Sequence, residues 1–170
     1  MTGGAEPARS VSGVQEEWVL LSYRVPREPS TPRITVWRKL KRLGVAQIGD
    51  GLVGLPADAR TREHLEWVAQ EVHEAGGSAT VWLAHHADPA QEHELARTMA
   101  AARAAEYEAV LGQAQEAHGL DDDQRLRAMG KLRAELRRIH RRDYFPPPQR
   151  QAAEAAVDAL HPDRTSEDSA

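Results

Sequence analysis

The sequence predicts an α+β fold, in which an antiparallel sheet built in βαββαβ order is followed by an α-helical extension. Three observations carry this expectation. Short apolar or alternating runs at Trp18 to Val25, Val45 to Ile48, Leu52 to Leu55 and Ser78 to Ala84 are interrupted by two stretches of helical periodicity. After Asp88 the β-compatible runs cease, and long stretches rich in Ala, Arg and Glu take over. Glycine and proline cluster at the joints between these segments, where chain reversals need them.

Residues 1–16, rich in Gly, Ala, Ser and Pro, read as a disordered lead. Trp18 to Val25 is apolar in both alternation sets at its start, which suits a central strand covered on both faces. Thr31 is placed as the cap of the first helix, Pro32 at its first position and Gly44 as its left-handed stop. Ile34, Trp37, Leu40 and Leu43, with Val36 beside them, form the expected buried face, and Arg33, Arg38, Lys39, Lys41 and Arg42 fall elsewhere. Gly49-Asp50-Gly51 joins the two hairpin strands. Pro56 and Asp58 open a second helix through about Ala75, with Leu65, Val68, Ala69 and Val72 inward and Gly76-Gly77 closing it. Ser78 to Ala84 is the last strand, with Val81 and Leu83 facing away from Trp82. This order is the ferredoxin-like plan over 17–87, with one tryptophan each from Trp18, Trp37, Trp67 and Trp82 expected in the core.

Over 88–160 a helical extension is expected to pack on that module. Asp88, Pro89 and Gln91 make a capping-box-like start for an alanine-rich helix whose small positions Leu95, Met99, Ala102, Ala105 and Ala109 invite a close helical partner. Asp121-Asp122-Asp123 suits the start of that partner. Its buried stripe is Leu126, Met129, Leu132, Leu136 and Ile139. Arg142-Asp143-Tyr144-Phe145 and three prolines end it, a short helix from Gln149 to Leu160 follows, and 161–170 reads as a disordered tail.

The composition narrows the function classes. The 170 residues carry a net charge of -4 with 28% charged residues, so any polyanion surface is local rather than global. With no cysteine, thiolate metal sites, disulfides and cysteine nucleophiles are excluded. The apolar run Trp18 to Leu21 is too short for a signal-peptide core or membrane span, giving the expectation of a cytoplasmic protein without membrane attachment. No phosphate loop, activated serine or spaced carboxylate pair stands out, so no enzyme and no cofactor are expected. His85, His86, Asp88 and His93 have metal-ligand types, but adjacent strand residues point to opposite faces, and they are taken as surface histidines.

Several segments carry a family likeness. Trp18-Val-Leu-Leu-Ser-Tyr, Val36-Trp37-Arg38-Lys39-Leu40-Lys41-Arg42-Leu43-Gly44 and Leu65-Glu66-Trp67 before Gly-Gly resemble the N-terminal domain of the ChrB chromate-resistance regulators. Ala101 to Tyr107, and Arg142 to Pro146 leading into Ala152 to Ala156, are similar to the helical part of the same domain. The resemblance implies a bacterial protein acting in transcription control of a chromate-efflux operon. It also implies a shortened regulator, since longer members carry a further C-terminal domain. Up to about residue 90 the chain is similar, more loosely, to the ferredoxin-like module of Cas2 nucleases and of the phenylacetate repressor PaaX. The Cas2 pattern implies a metal-binding aspartate after the strand tyrosine; here Arg24 follows Tyr23, which argues against nuclease chemistry.

The candidate site for DNA or an oxyanion such as chromate or sulfate is Arg24, Arg27, Arg33, Arg38, Lys39, Lys41 and Arg42, a span with only Glu28 as countercharge. A second basic stretch, Arg125 to Arg142, is expected to pair internally with Glu92, Glu94, Glu106, Glu108 and Glu116. Tyr144 and Phe145 are expected to latch the final helix. A homodimer through the sheet or the extension is expected, and the alternative function is a non-DNA-binding interaction domain working with a separately encoded partner.

Overall fold

The computed structural model describes residues 16–161, so the expected lead and tail lie almost wholly outside the described residues. β1 (Trp18–Arg24), α1 (Ser30–Leu43), β2 (Ala46–Gly49), β3 (Leu52–Pro56), α2 (Ala59–Glu74) and β4 (Ser78–Ala84) follow in the expected βαββαβ order. The four strands form one sheet in the order β2-β3-β1-β4, and every neighbouring pair is antiparallel. β1 is therefore central, as its apolar character on both alternation sets implied.

Residues opposite one another on paired strands share a face. Val19 lies opposite Leu55, and Leu21 opposite Val53. All four are fully buried on the helix-covered face. α2 packs on β1 and β4 through Leu65, Val68 and Val72, and α1 packs against α2. Asp58 starts α2 by accepting from Thr61 N at 2.7 Å, while Thr61 Oγ1 accepts from Asp58 N, a reciprocal cap read only in part from sequence.

On the other face the indole of Trp18 is buried. Its Nε1 donates to Glu92 Oε1 at 2.9 Å, and the His86 ring meets it edge-on at 5.5 Å. The expectation of four core tryptophans fails beyond this one. Trp37, Trp67 and Trp82 are 52%, 62% and 53% exposed. α1 explains the first case. Its buried line is Val36 and Leu40, so Ile34 and Trp37 turn outward. Thr31 does not cap this helix: the N-cap is Pro29, without a side-chain bond, and Thr31 O instead accepts from Thr35 Oγ1. Gly44 does stop it, with φ of 73°.

Beyond the sheet come α3 (Pro89–Ala117), α4 (Asp122–His140) and α5 (Gln149–Asp158). The chain divides into two compact units, and the division falls within α3 between Ala96 and Arg97. In the second unit Tyr107, Val110, Ala114 and Ala117 of α3 share a core with Met129, Leu132, Leu136 and Ile139 of α4 and Ala153, Val157 and Leu160. Ala102, Ala105 and Ala109, expected to face inward, are exposed. Leu126 is likewise 40% exposed. Asp88 caps α3 through Ala90 N at 2.9 Å rather than through Gln91, and Asp121 caps α4 through Gln124 N at 2.8 Å.

A buried polar network closes the second unit. Tyr107 Oη donates to Asp143 Oδ2 at 2.8 Å, and Arg142 Nη2 pairs with Glu106 Oε2 at 2.6 Å. Phe145 is buried and Tyr144 is half-buried.

Candidate nucleic-acid interface

The seven predicted cations have different surroundings. α1 has no acidic residue in its first turn and carries Lys41 and Arg42 in its last, where cations favour the helix C-terminus. Arg33, Arg38, Lys41 and Arg42 are exposed. No carboxylate among the described residues pairs with Arg33, Arg38 or Arg42. Between them stand the outward Ile34 and Trp37, with Lys41 Nζ 4.5 Å from the Trp37 ring centroid. Lys39 points elsewhere: it is half-buried and paired with Glu71 of α2, so its charge is already matched.

Arg24 and Arg27 precede the helix. They line a cleft of about 630 Å³ where the end of β1 meets the α2–β4 turn, together with Gly76, Gly77 and Ser78. Neither arginine has a carboxylate partner among the described residues, and no acidic side chain lines the cleft. The cleft wall is bare backbone because a Cβ at Gly77 would meet Arg24 O at 2.3 Å. Nearby, burial raises the Tyr23 pKa above its usual value while Arg33 opposes the rise, which places the Arg33 charge within reach of this end of the sheet.

Sequence reasoning missed two features. The outward Ile34 and Trp37 were assigned inward because their spacing fits a helix face as well as that of Val36 and Leu40. From sequence Gly76 and Gly77 read only as a helix stop, and Ser78 only as the start of the last strand. A signal was present, since β4 must begin beside Arg24 once β1 and β4 are neighbours.

Half of the cations in the second basic stretch are paired within the chain. Arg125 pairs with Asp122, Arg138 with Glu135, Arg133 with Asp158 and Arg142 with Glu106. Of these four, only Arg142 finds its partner among the α3 glutamates expected from sequence; the other three use their own helix or α5. His85 lies 3.6 Å from Glu17, His86 packs on Trp18, and His93 Nδ1 lies 3.0 Å from Pro89 O. Among the described residues no three His, Asp or Glu side chains converge on a common point.

A family model described as the N-terminal part of Protein ChrB matches residues 33–165. The chain belongs to the ChrB N-terminal family. The matched range runs from within α1 through all three later helices, so it takes in part of both units and leaves β1 outside. Protein ChrB of Cupriavidus metallidurans is 31% identical over 83 residues, a stretch covering 49% of this chain and 26% of that protein. The match therefore takes in about a quarter of that ChrB relative. No solved structure matches the chain. No helix among the described residues of this ChrB domain is long and apolar enough to cross a membrane.

Proposed function

We propose that this ChrB-family chain is a non-enzymatic regulator associated with chromate resistance, and that the exterior of α1 contacts promoter DNA. The observation that carries the reading is the set of exposed cations Arg33, Arg38, Lys41 and Arg42 on one 14-residue helix, with no carboxylate pairing the three arginines among the described residues. A helix of this length is about 21 Å long, enough to lie along several phosphates. Ile34 and Trp37 lie among the cations and supply apolar surface of the kind that meets sugars or thymine methyls. Binding of the full chain to the DNA upstream of its own operon tests this. Arg38→Ala with Arg42→Ala is expected to weaken affinity roughly 10-fold at moderate salt. Unchanged affinity would remove α1 from the reading.

A second reading attaches to the cleft. Two guanidiniums without carboxylate partners and the Ser78 hydroxyl suit a doubly charged tetrahedral oxyanion such as chromate or sulfate. Calorimetric titration with each anion, repeated on Arg27→Ala, is expected to show heat that the substitution abolishes. Metal-dependent nuclease chemistry is disfavoured by Arg24, which would repel a divalent cation from the end of β1.

A further inference from the structure

The sheet has two edges of different character. β2 is four residues long and its register slips between Gln47 and Gly49, which blunts it as a template. β4 is seven residues long and in unbroken register with β1 from Ser78 to Ala84. It contains no charge, proline or glycine, and among the described residues it has a strand neighbour on one side only. Trp82 and Leu83 are 53% and 50% exposed and point to opposite faces of the sheet. Proteins usually protect such an edge with lysine, proline or a bulge, and this strand has none of these.

We infer that β4 is the self-association edge of this chain, pairing antiparallel with β4 of a second copy about a twofold axis at Val81. The feature that selects a second copy is steric. Centring the pair on Val81 engages all seven residues and sets Thr80 opposite the second copy's Trp82, Ala79 opposite its Leu83 and Ser78 opposite its Ala84. Each bulky side chain then faces a small one, and the two Trp82 rings become diagonal neighbours on one face, within aromatic reach. Charge adds a weaker bias toward the antiparallel arrangement. The exposed Arg24 lies beside Ser78, whereas the exposed Glu17, 3.6 Å from His85, precedes Trp18, which pairs with Ala84. Antiparallel copies set the Arg24 end of one sheet across from the Glu17 end of the other, three strand spacings or about 14 Å away, so the complementarity steers orientation rather than holding the pair. The result is a continuous eight-stranded sheet with closed twofold symmetry. This inference is independent of whether α1 binds DNA.

The chain has no cysteine, so a single introduced thiol reports unambiguously. Cross-strand Cα separations of about 4.5–5.5 Å fall within disulfide range. Under mild oxidation Val81→Cys is expected to give a covalent dimer, and Trp67→Cys on the exposed side of α2 is expected to give none. In light scattering of the full chain, Thr80→Lys with Trp82→Lys places like charges opposite each other and is expected to weaken the dimer roughly 100-fold. Thr80→Lys with Trp82→Glu makes the opposed pairs complementary and is expected to restore it. Circular dichroism confirms that each variant is folded. A wild-type monomer at high concentration, whether the edge stays bare or is taken by residues 1–15 of the same chain, overturns the inference. So does a dimer indifferent to the lysine pair, or Val81→Cys that cross-links no better than the control.

Discussion

Lys41 Nζ lies 4.5 Å above the ring of Trp37, and both side chains are outside the core of the first unit. The contact organises the exterior of α1 without holding the fold together, because an exposed cation–π pair contributes only about 0.5–1 kcal/mol. Trp18 is the contrasting case, buried and bonded to Glu92. Trp37→Ala is expected to change unfolding free energy by less than about 1 kcal/mol, and Trp18→Ala to cost about 3–5 kcal/mol. Urea unfolding of the two variants side by side checks the ranking. Equal losses would mean that α1 is rotated from the orientation described.

Glycine positions separate into tight and open sites. At Gly51, φ is 68° and a Cβ would meet Tyr23 O at 2.4 Å; at Gly77 it would meet Arg24 O at 2.3 Å. Gly130, within α4, has nothing within 4 Å. Gly77→Ala and Gly51→Ala are therefore expected to destabilise by more than about 2 kcal/mol, since backbone must move. Gly130→Ala is expected to stabilise by about 0.5–1 kcal/mol through helix propensity. Thermal melts that rank them the other way would contradict the close approach of the α2–β4 turn to β1.

The polar network of the second unit makes stability depend on pH in two opposite ways. Burial lowers the His140 pKa below its usual 6.5, with Arg150 adding to the effect and Glu154 and Asp143 opposing it. His140 Nε2 is 2.9 Å from Glu154 Oε1, and that carboxylate favours the protonated ring without overcoming the burial. A depressed histidine pKa means that the unfolded chain binds the proton more readily, so stability falls as pH drops through 6.5 toward the folded value. Asp143 has the opposite sign. Burial raises its pKa above 3.8 despite the Tyr107 hydrogen bond and the opposing charges of Arg150, His140 and Arg103, so its contribution is fully present below 3.8 and is lost as pH rises through the folded value. Urea midpoints measured against pH should fall below 6.5 in the wild type and flatten there in His140→Gln. An unchanged slope in that variant would remove His140 as the source.

The parts of the fold that were legible in the sequence are those fixed by local signals. Asp58, Gly44, the Gly49-Asp50-Gly51 turn and the alternation of Ser78 to Ala84 each act within a few residues, and each placed its element nearly where it lies. The rest depended on choices that spacing leaves degenerate. Ile34 and Trp37 satisfy the helical period as well as Val36 and Leu40 do, and tertiary packing against α2 selects the second pair. In α3 the alanines are equally compatible with either side, so Tyr107 and Val110, not Ala105 and Ala109, turned out to define the inward face. The cleft that Arg24 and Arg27 line with Gly76, Gly77 and Ser78 was likewise invisible along the chain, because it arises from β1 and β4 being neighbours.

The cationic exterior of α1 is tested most directly by the salt dependence of DNA affinity. The quantity is the slope of log Kd against log salt concentration for the upstream DNA, measured on the wild type and on Arg33→Ala, Arg38→Ala, Lys41→Ala and Arg42→Ala combined. Each phosphate contact that is removed should lower the slope by about 0.9. The account predicts a steep wild-type dependence and a clearly shallower line for the variant. Two parallel lines would contradict it.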